Sequence, residues 1–463
     1  MASIAHWKEQ LNTHLLTDPV LTEALSRPHI EQHCRNAGHL WRDSFWSPSV
    51  TVMTFLLQVL DPSKTLRAAV ASLLTRLAAT GQTDLPSADP TAYCQSRQRL
   101  PGEVLAALLV TLAERMRNLA GQTTRWLGHR VWILDGSSVS MPDEPELQEA
   151  FPQPSGQKPG CGFPVAQFVA LFCWASGAII DLAIDSLRPH ELTLFRRLWH
   201  HFTPGDVVLA DRAYSAYVDM ARLLQRGVFC VFRLHQRRPH DLRAGRPLGP
   251  HDRLVTWTRP KKWFPSIGIS REELAELPET LTVRLVRITN APRGFRSRTI
   301  VVVTTLLDPV ETPADEVRRL YRDRWMAELN LRSLKTVLGM DVLRGHSVDV
   351  VTKEIVMHLV AYNLIRLLMW HAARQHGCDL HRLSFTGTLR RLHIALPLLL
   401  LRGHSQAMAT SLLNMILRWI AADLLPDRPD RYEPRRVKRR PKEYSRLNRP
   451  RAWFRARCDH SGR

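Results

Sequence analysis

The sequence predicts an α/β protein, in which a mixed β-sheet flanked by helices is interrupted by a β-rich insertion. Helical segments precede and follow this core. Three observations support the prediction. Apolar side chains recur at helical spacing before residue 125, short apolar runs alternate with amphipathic stretches over 130–234, and β-branched runs dominate 254–307.

The chain of 463 residues carries 64 Lys and Arg against 43 Asp and Glu, a formal net charge of +21. A surplus of this size attracts polyanions, of which nucleic acid and anionic membranes are the common examples. No apolar run reaches the roughly 18 residues that indicate a membrane span. The N-terminus lacks the basic and apolar segments of a secretory signal. Nucleic acid is therefore the favoured partner, although an Arg-rich composition alone would produce the same charge.

The seven cysteines include no CxxC pair, and their number is odd. Irregular spacing of this kind indicates neither a disulfide framework nor a zinc site. The cysteines fit a reducing cytoplasm best.

Residues 1–125 are interpreted as a helical N-terminal domain that binds DNA. Apolar residues recur at helical spacing over 50–60, 65–79 and 101–121. Arg97 and Arg99, near a helix end, suit contacts with phosphate, but a solvated surface explains them equally well.

Residues 126–234 are predicted to form the first part of the core. The segments follow the order strand, strand, strand, helix, strand, helix, strand, which is typical of a ribonuclease-H-like sheet. The predicted segments are 130–135, 164–177, 178–184, 190–202, 206–211, 214–227 and 228–234.

Residues 235–312 are predicted to form the β-rich insertion, with strands at 254–257, 280–289 and 298–307. Residues 313–425 then complete the core and add C-terminal helices. The first helix of this part is predicted from about Ala314 to Leu338, between Thr312-Pro313 and Gly339.

Residues 426–463 form a basic tail, with nine Lys or Arg between 435 and 451. Such a block suits contacts with backbone phosphates. A purely solubilising tail is the alternative interpretation.

Two carboxylates are predicted at neighbouring strand ends. Asp135 ends the first predicted strand and Asp211 ends the fourth, and these strands lie side by side in a ribonuclease-H-like sheet. Mg²⁺ prefers oxygen ligands, and a pair of such ions can activate an oxygen nucleophile and neutralise charge during phosphoryl transfer. A carboxylate after a strand is often only a turn residue. Other acidic residues also lie near strands, namely Asp143, Asp181, Asp185 and Asp206.

The long helix supplies a third carboxylate. Tyr321, Arg324, Glu328 and Lys335 are spaced by three, four and seven residues, which places them on one helix face. A solvated face with ion pairs between neighbouring turns would look the same. Trp325 lies off this face and is interpreted as a packing residue.

These residues resemble the bacterial insertion-sequence DDE transposases whose signature is Y-x2-R-x3-E-x6-K, the insertion-sequence family numbered four. Tyr321, Arg324, Glu328 and Lys335 match that signature at every position. Further stretches that look like the family are VWILDGSSV, GDVVLADRAYSAY, AYNLIR, FLLQVLDPSKTLRAAV, TAYCQSRQRL and EPRRVKRRPKEYSRL. The resemblance covers nearly the whole chain.

The resemblance implies that Asp135, Asp211 and Glu328 bind two Mg²⁺ or Mn²⁺ ions and catalyse DNA cleavage and strand transfer. It also implies that the enzyme acts as a homodimer on double-stranded DNA, at terminal inverted repeats and at a target.

The same resemblance assigns DNA contacts to Tyr321, Arg324 and Lys335, and Arg212 could add a phosphate contact. Family members cleave through hairpin ends and stack a flipped base on an aromatic side chain. The strand at 298–307 lacks the expected Trp. Trp257 and Trp263, elsewhere in the insertion, are the candidate substitutes, and each could equally be a core residue.

Two alternatives to an active transposase stay open. One is a domesticated, sequence-specific DNA-binding protein without transposition activity, although the intact acidic triad and signature argue against it. The other is a ribonuclease-H-like nuclease that cuts without strand transfer.

Overall fold

The computed structural model describes residues 25–79, 85–121, 124–238, 243–265, 268–290, 298–399, 406–426, 444 and 447–458. Within these ranges the protein is a mixed α/β structure, as the sequence predicts. Much of the predicted basic tail lies outside the described residues.

The described strands form one mixed sheet in the order β3-β2-β1-β4-β5-β9-β8-β7-β6. The strands are β1 (Val131–Ser140), β2 (Val165–Cys173), β3 (Ile179–Ser186), β4 (Val207–Ala210), β5 (Phe229–Arg233), β6 (Arg246–Gly249), β7 (Asp252–Thr258), β8 (Thr280–Asn290) and β9 (Arg298–Thr304).

The centre of the sheet consists of short parallel strands. β4 pairs in parallel with both β1 and β5, whereas β2 and β3 continue the other side of β1 in antiparallel pairs. The first five strands thus have the order 3-2-1-4-5 of a ribonuclease-H-like sheet. The buried parallel strands are nearly all apolar, because helices cover both of their faces.

Helices surround this sheet and fill both ends of the described chain. They are α1 (Arg27–Asn36), α2 (Pro48–Leu60), α3 (Leu66–Ala79), α4 (Thr91–Arg99), α5 (Gly102–Gly121), α6 (Pro145–Ala150), α7 (Glu191–Arg197), α8 (Tyr217–Gln225), α9 (Arg271–Glu276), α10 (Ala314–Asp323), α11 (Trp325–Arg332), α12 (Val348–His376), α13 (Phe385–Leu399), α14 (Gln406–Ala422) and α15 (Arg451–Cys458).

Several predicted boundaries were wrong. β1 does not end at Asp135 but continues to Ser140, because β2 pairs with it along its whole length. The predicted helix 190–202 is α7 followed by a 3₁₀ turn at Trp199–His201. The structure also adds the short strand β6 and the helix α9 within the insertion.

The predicted helix from Ala314 to Leu338 is helical throughout but is not one regular α-helix. At Arg324, where α10 passes into α11, backbone hydrogen bonds join residues three apart, as in a 3₁₀ turn, instead of four apart. A π-helical turn then spans Ser333–Val337 and ends before Gly339, which has a positive φ of 74°. Such turns inside helices are frequent at functional sites.

A buried carboxylate holds the start of β1 against the start of β4. Asp206, only 3% exposed, accepts hydrogen bonds from Trp132 Nε1 at 2.8 Å, from the Arg130 guanidinium at 2.8 and 3.0 Å, and from the Thr203 amide at 2.9 Å. A buried charge needs such partners to offset its loss of hydration. The contacts therefore secure the pairing of the two strands that carry Asp135 and Asp211.

The predicted insertion is β-rich, and it extends the core sheet. β9 pairs antiparallel with β5, and β8, β7 and β6 follow outward. Within it, the fully buried Arg284 forms a two-pronged ion pair with Asp252 at 2.5 and 2.8 Å. Arg284 also donates to the carbonyl of Thr312 at 2.6 Å. The insertion is thereby tied to the residues that precede α10.

The long helix α12 lies at the centre of the helical packing. Its length and composition would suit a membrane span, but 89% of its most apolar window is buried inside the protein, as in a core helix. Asn363 bonds both backbone groups of Ile179 at 2.8 and 2.9 Å, and Tyr362 donates to the carbonyl of Gly177 at 2.8 Å. The stretch AYNLIR therefore secures the β2–β3 turn.

Among the described N-terminal helices, α2 and α5 share the apolar core of the sheet. Buried residues of α2 and α5 belong to the same apolar cluster as those of the central strands. Lys353 of α12 also donates to the carbonyl of Gln98 at 2.8 Å. The predicted helical segment is present, while its role in DNA binding stays a prediction.

Replacing Asp252 with Ala should destabilise the protein by about 3–5 kcal/mol, because it leaves the Arg284 guanidinium buried without its counter-charge. Urea unfolding of the full chain measures this change. The matched control is Asp315→Ala, which removes an exposed partner of Arg318 and should cost less than about 1 kcal/mol. Equal effects of the two variants would contradict the anchoring role of the buried pair.

Candidate active site

The parallel pairing of β1 and β4 brings the two predicted aspartates to the same region of the sheet. Ile133 lies opposite Leu209, and Asp135 and Asp211 each follow two residues later on their strands. The sequence placed both residues at strand ends. The structure instead places Asp135 inside β1, just beyond the three residues that pair with β4, and Asp211 directly after β4.

Glu328 approaches this region from α11, which packs against β1. Its carboxylate accepts a hydrogen bond from Arg324 at 2.6 Å. The Arg324 side chain is 16% exposed and that of Glu328 is 36% exposed, so the pair borders solvent. Arg324 and Glu328 therefore lie on the same face of the helix, one turn apart, as their spacing predicts.

The electrostatics of Asp135 show that the acidic residues lie near one another. Partial burial raises the pKa of Asp135 from 3.8 to about 6, and the charges of Glu328 and Glu191 add to the rise, while Arg324 opposes it. Burial disfavours a charged carboxylate, and neighbouring negative charges disfavour it further. The site thus concentrates negative charge that Arg324 offsets only in part.

The donor set fits a hard divalent cation. Three carboxylates supply the oxygen ligands that Mg²⁺ and Mn²⁺ prefer. Asp211 Oδ1 is buried and has no hydrogen-bond partner among the described residues. A buried polar atom without a partner is costly and needs an explanation, such as an ion that binds there. Asp135, Asp211 and Glu328 could therefore hold such a cation.

The other residues of the predicted signature flank the carboxylates. Tyr321 is buried, which raises the pKa of its hydroxyl, and it interacts with Arg324 and with the charge of Asp211. Lys335 lies in the π-helical turn and donates to Ser137 Oγ at 2.8 Å. Tyr321 and Arg324 thus contact the acidic cluster, and Lys335 reaches the end of β1 beyond Asp135.

Glu191 is a site residue that sequence reasoning missed. It begins α7, and its carboxylate lies where a side chain at position 136 would be, so Gly136, directly after Asp135, leaves room for it. The buried Tyr214 donates to Glu191 at 2.5 Å. Burial raises the pKa of Tyr214, and the charge of Glu191 raises it further. Nothing in the local sequence marks Glu191, because an acidic first helical residue is common.

Arg212 and the two tryptophans of the insertion are placed outside this cluster. Arg212 donates to Gln236 at 2.6 Å. Trp257 is 8% exposed and lies under the Arg238 guanidinium, and Trp263 donates to the carbonyl of Ile269 at 2.7 Å. Trp325, interpreted from sequence as a packing residue, is 39% exposed in α11, one residue after Arg324, so more than half of its surface is covered.

The remaining acidic residues near strands have partners of their own. Asp206 is enclosed by the contacts described above. Asp185 pairs with Arg197 at 2.6 Å, and Asp143 pairs with Arg451. Their partners distinguish these structural carboxylates from Asp211, whose Oδ1 has none in the part of the chain that the structure describes.

Comparisons with known proteins identify the family of the chain. Residues 126–364, just over half of the chain, match the family described as "Transposase DDE domain". The chain is 26% identical over 368 residues to the transposase InsG for insertion sequence element IS4 of Escherichia coli (strain K12), which covers 78% of each chain. A cryo-EM structure of a piggyBac transposase synaptic complex with hairpin DNA aligns with a TM-score of 0.46 and 9% identity, over 92% of this chain and 86% of that chain.

Asp135→Asn should stabilise the metal-free protein by about 2–3 kcal/mol at pH 8, because the raised pKa means that folding disfavours the ionised carboxylate. The gain should shrink as the pH falls through about 6 and vanish below about 4, where the carboxyl is protonated in both the folded and the unfolded state. Urea unfolding in EDTA at several pH values measures this. Asp185→Asn is the control, and an Asp135→Asn gain that does not depend on pH would contradict the assignment.

Proposed function

The chain belongs to the family of transposases with a DDE domain, and we propose that it moves an insertion sequence by cut-and-paste transposition through hairpin ends. The observation that carries the proposal is the buried Asp211 Oδ1, which has no hydrogen-bond partner among the described residues, in the region of the sheet where Asp135 and Glu328 also lie. Phosphoryl transfer on DNA requires such a site, where charge on the attacking and leaving oxygens can be neutralised.

The three carboxylates would hold divalent cations, Mg²⁺ or Mn²⁺, with two ions per active site. When bound, such ions activate the attacking oxygen and stabilise the leaving oxygen. The protein's own residues supply the rest of the site. Arg324 orients Glu328 through their hydrogen bond, and the Asp206 contacts hold β1 and β4 together so that Asp135 and Asp211 stay adjacent.

DNA contacts are proposed for the cationic and aromatic residues around the carboxylates. Arg324 and Tyr321 lie beside the acidic cluster, where a cleaved DNA end would be bound, and Lys335 lies where a neighbouring phosphate would be. Arg212 could release Gln236 to contact phosphate. Cationic side chains at these positions would fix the register of the DNA rather than read its sequence.

The proposed partner is double-stranded DNA, at terminal inverted repeats and then at a target site. The net charge of +21 supports this choice, because it attracts the phosphate backbone of any DNA sequence. Two ends must be cut together in an excision, so a homodimer with one active site per end is the proposed assembly. The proposed compartment is the bacterial cytoplasm, where the DNA lies.

A hairpin end requires a sharply bent strand, and flipping a base out of the stack relieves the strain of the bend. Unstacking costs a few kcal/mol, which stacking on an aromatic side chain can offset. Trp257 and Trp263 were proposed for this role from sequence and stay candidates. Trp325 is the better candidate, because it is exposed on α11 between Arg324 and Glu328.

Glu328→Gln should reduce cleavage of end-containing DNA by at least about a hundredfold in Mg²⁺ or Mn²⁺, because it removes a charged metal ligand. Binding to the same DNA should persist, measured by gel shift. Glu316→Gln is the matched control, since Glu316 pairs with Arg319 on the surface of α10. Full cleavage activity of Glu328→Gln would contradict the proposed active site.

The DNA products formed by the unsubstituted protein distinguish a transposase from a nuclease and from a DNA-binding protein. Strand-transfer products joined to a second duplex support a transposase. Cleavage without joining would indicate a nuclease, and sequence-specific binding without cleavage would indicate a domesticated DNA-binding protein.

Trp325→Ala should reduce hairpin formation about tenfold or more, because base stacking on an aromatic side chain contributes about 1–3 kcal/mol. First-strand nicking should remain near the parent rate, so denaturing gels of end-labelled DNA separate the two steps. Trp325→Phe keeps an aromatic face and should retain most of the activity. Normal hairpin formation by Trp325→Ala, together with its loss in a Trp257→Ala or Trp263→Ala variant that still nicks the first strand, would transfer the role to the insertion.

A further inference from the structure

A second group of potential metal ligands lies outside the proposed active site. Asp181 is on β3, and His200 and His201 form the 3₁₀ turn after α7. One ligand atom from each of these three side chains lies within 4.8 Å of the others. Asp181 and His201 are partly buried, and His200 is exposed.

The distances within this group suit a single ion. Asp181 Oδ2 lies 2.8 Å from His201 Nε2 and 3.7 Å from His200 Nε2. Ligand atoms about 2.0–2.1 Å from a tetrahedral ion are about 3.4 Å apart. Small side-chain rotations would therefore suffice to replace the direct Asp181–His201 hydrogen bond with two bonds to an ion.

Backbone hydrogen bonds already orient two of the three ligands. His200 Nδ1 lies 2.8 Å from the carbonyl of Arg197, so its Nε2 is left to face Asp181. Asp181 Oδ1 accepts from the amide of Leu182 at 2.7 Å, which leaves Oδ2 toward the imidazoles. In a metal-binding histidine, the ring nitrogen that does not bind the metal is usually hydrogen-bonded to a group such as a carbonyl, which fixes the orientation of the ring.

This group is separate from the catalytic carboxylates. Asp181 pairs with Leu171, which pairs with Leu134, whereas Asp135 pairs with Ala170. Because side chains alternate between the two faces of a sheet, Asp181 and Asp135 lie on opposite faces, two strands and about 10 Å apart. The nearby Asp185 is already paired with Arg197.

We propose that Asp181, His200 and His201 bind one transition-metal ion of the zinc class, with a coordination position left open to water. Imidazole nitrogen favours Zn²⁺, Co²⁺ and Ni²⁺, whereas the all-carboxylate catalytic site favours Mg²⁺ and Mn²⁺. The side chain of His200 is 64% exposed, so an ion can reach the site from solvent.

The ion would fasten the 3₁₀ turn, and with it α7, to the edge strand β3. The first residue of α7 is Glu191, whose carboxylate lies against Gly136 beside Asp135. The bound ion would thus stabilise the position of α7, which carries Glu191, without binding to the catalytic carboxylates.

The test uses the full chain with Asp135→Asn, Asp211→Asn and Glu328→Gln, which lacks the catalytic carboxylates. Titration with Co²⁺, followed by visible absorption, and with Zn²⁺, followed by calorimetry, should show about one bound equivalent. His200→Asn and His201→Asn in this background should each weaken binding by at least about tenfold. His376→Asn, at the exposed end of α12, is the matched control and should change nothing.

Thermal unfolding gives a second measurement. Zn²⁺ should raise the melting temperature of the triple variant but not that of the two histidine variants, because only folded protein with the site intact binds the ion. Circular dichroism shows whether each variant is folded, and Asp181→Asn replaces either histidine variant that is not. Absence of bound Co²⁺ and Zn²⁺ in the triple variant, or equal affinity in the histidine variants and His376→Asn, would overturn the proposal.

Discussion

The partial burial of an acidic site is the constraint on which the surrounding arrangement depends. Burial raises the pKa of Asp135 to about 6, and the neighbouring carboxylates of Glu328 and Glu191 add to the rise. Without a cation, this penalty favours separation of the elements that carry the acidic residues. The contacts that hold β1, β4 and α11 in place must therefore supply the opposing stability.

Buried ion pairs away from the site supply part of this opposing stability. Asp206 joins the starts of β1 and β4 through Arg130 and Trp132, and the Arg284–Asp252 pair ties the insertion to the residues before α10. These carboxylates have all the partners that a buried charge requires. Asp211, by contrast, keeps one buried oxygen without a partner among the described residues. This difference sets Asp211 apart from the two carboxylates that stabilise the fold.

The helical packing connects the active site to the rest of the molecule. α12 secures the β2–β3 turn on one side and meets the N-terminal helices on the other, in one continuous apolar core. The insertion extends the core sheet through β9 instead of forming a sheet of its own. A displacement of α2, α5 or the insertion would therefore reach the strands that carry the carboxylates through packed elements.

The sequence by itself determined the mixed α/β class, the helical nature of both ends, the transposase family and the candidate residues Asp135, Asp211 and Glu328. Periodicity and the spacing of Tyr321, Arg324, Glu328 and Lys335 are local properties, so they can be recognised along the chain. The roles of these residues in DNA chemistry stay predictions.

Only the tertiary structure decided which other groups meet these residues. Glu191 lies against Gly136 because α7 packs over β2 and β3, although the two residues are far apart in sequence. Asp181, His200 and His201 come together because a strand and a 3₁₀ turn meet at the sheet edge. The length of β1 and the π-helical turn at Lys335 likewise follow from long-range pairing and packing, which override local propensity and are not encoded in any short stretch of the chain.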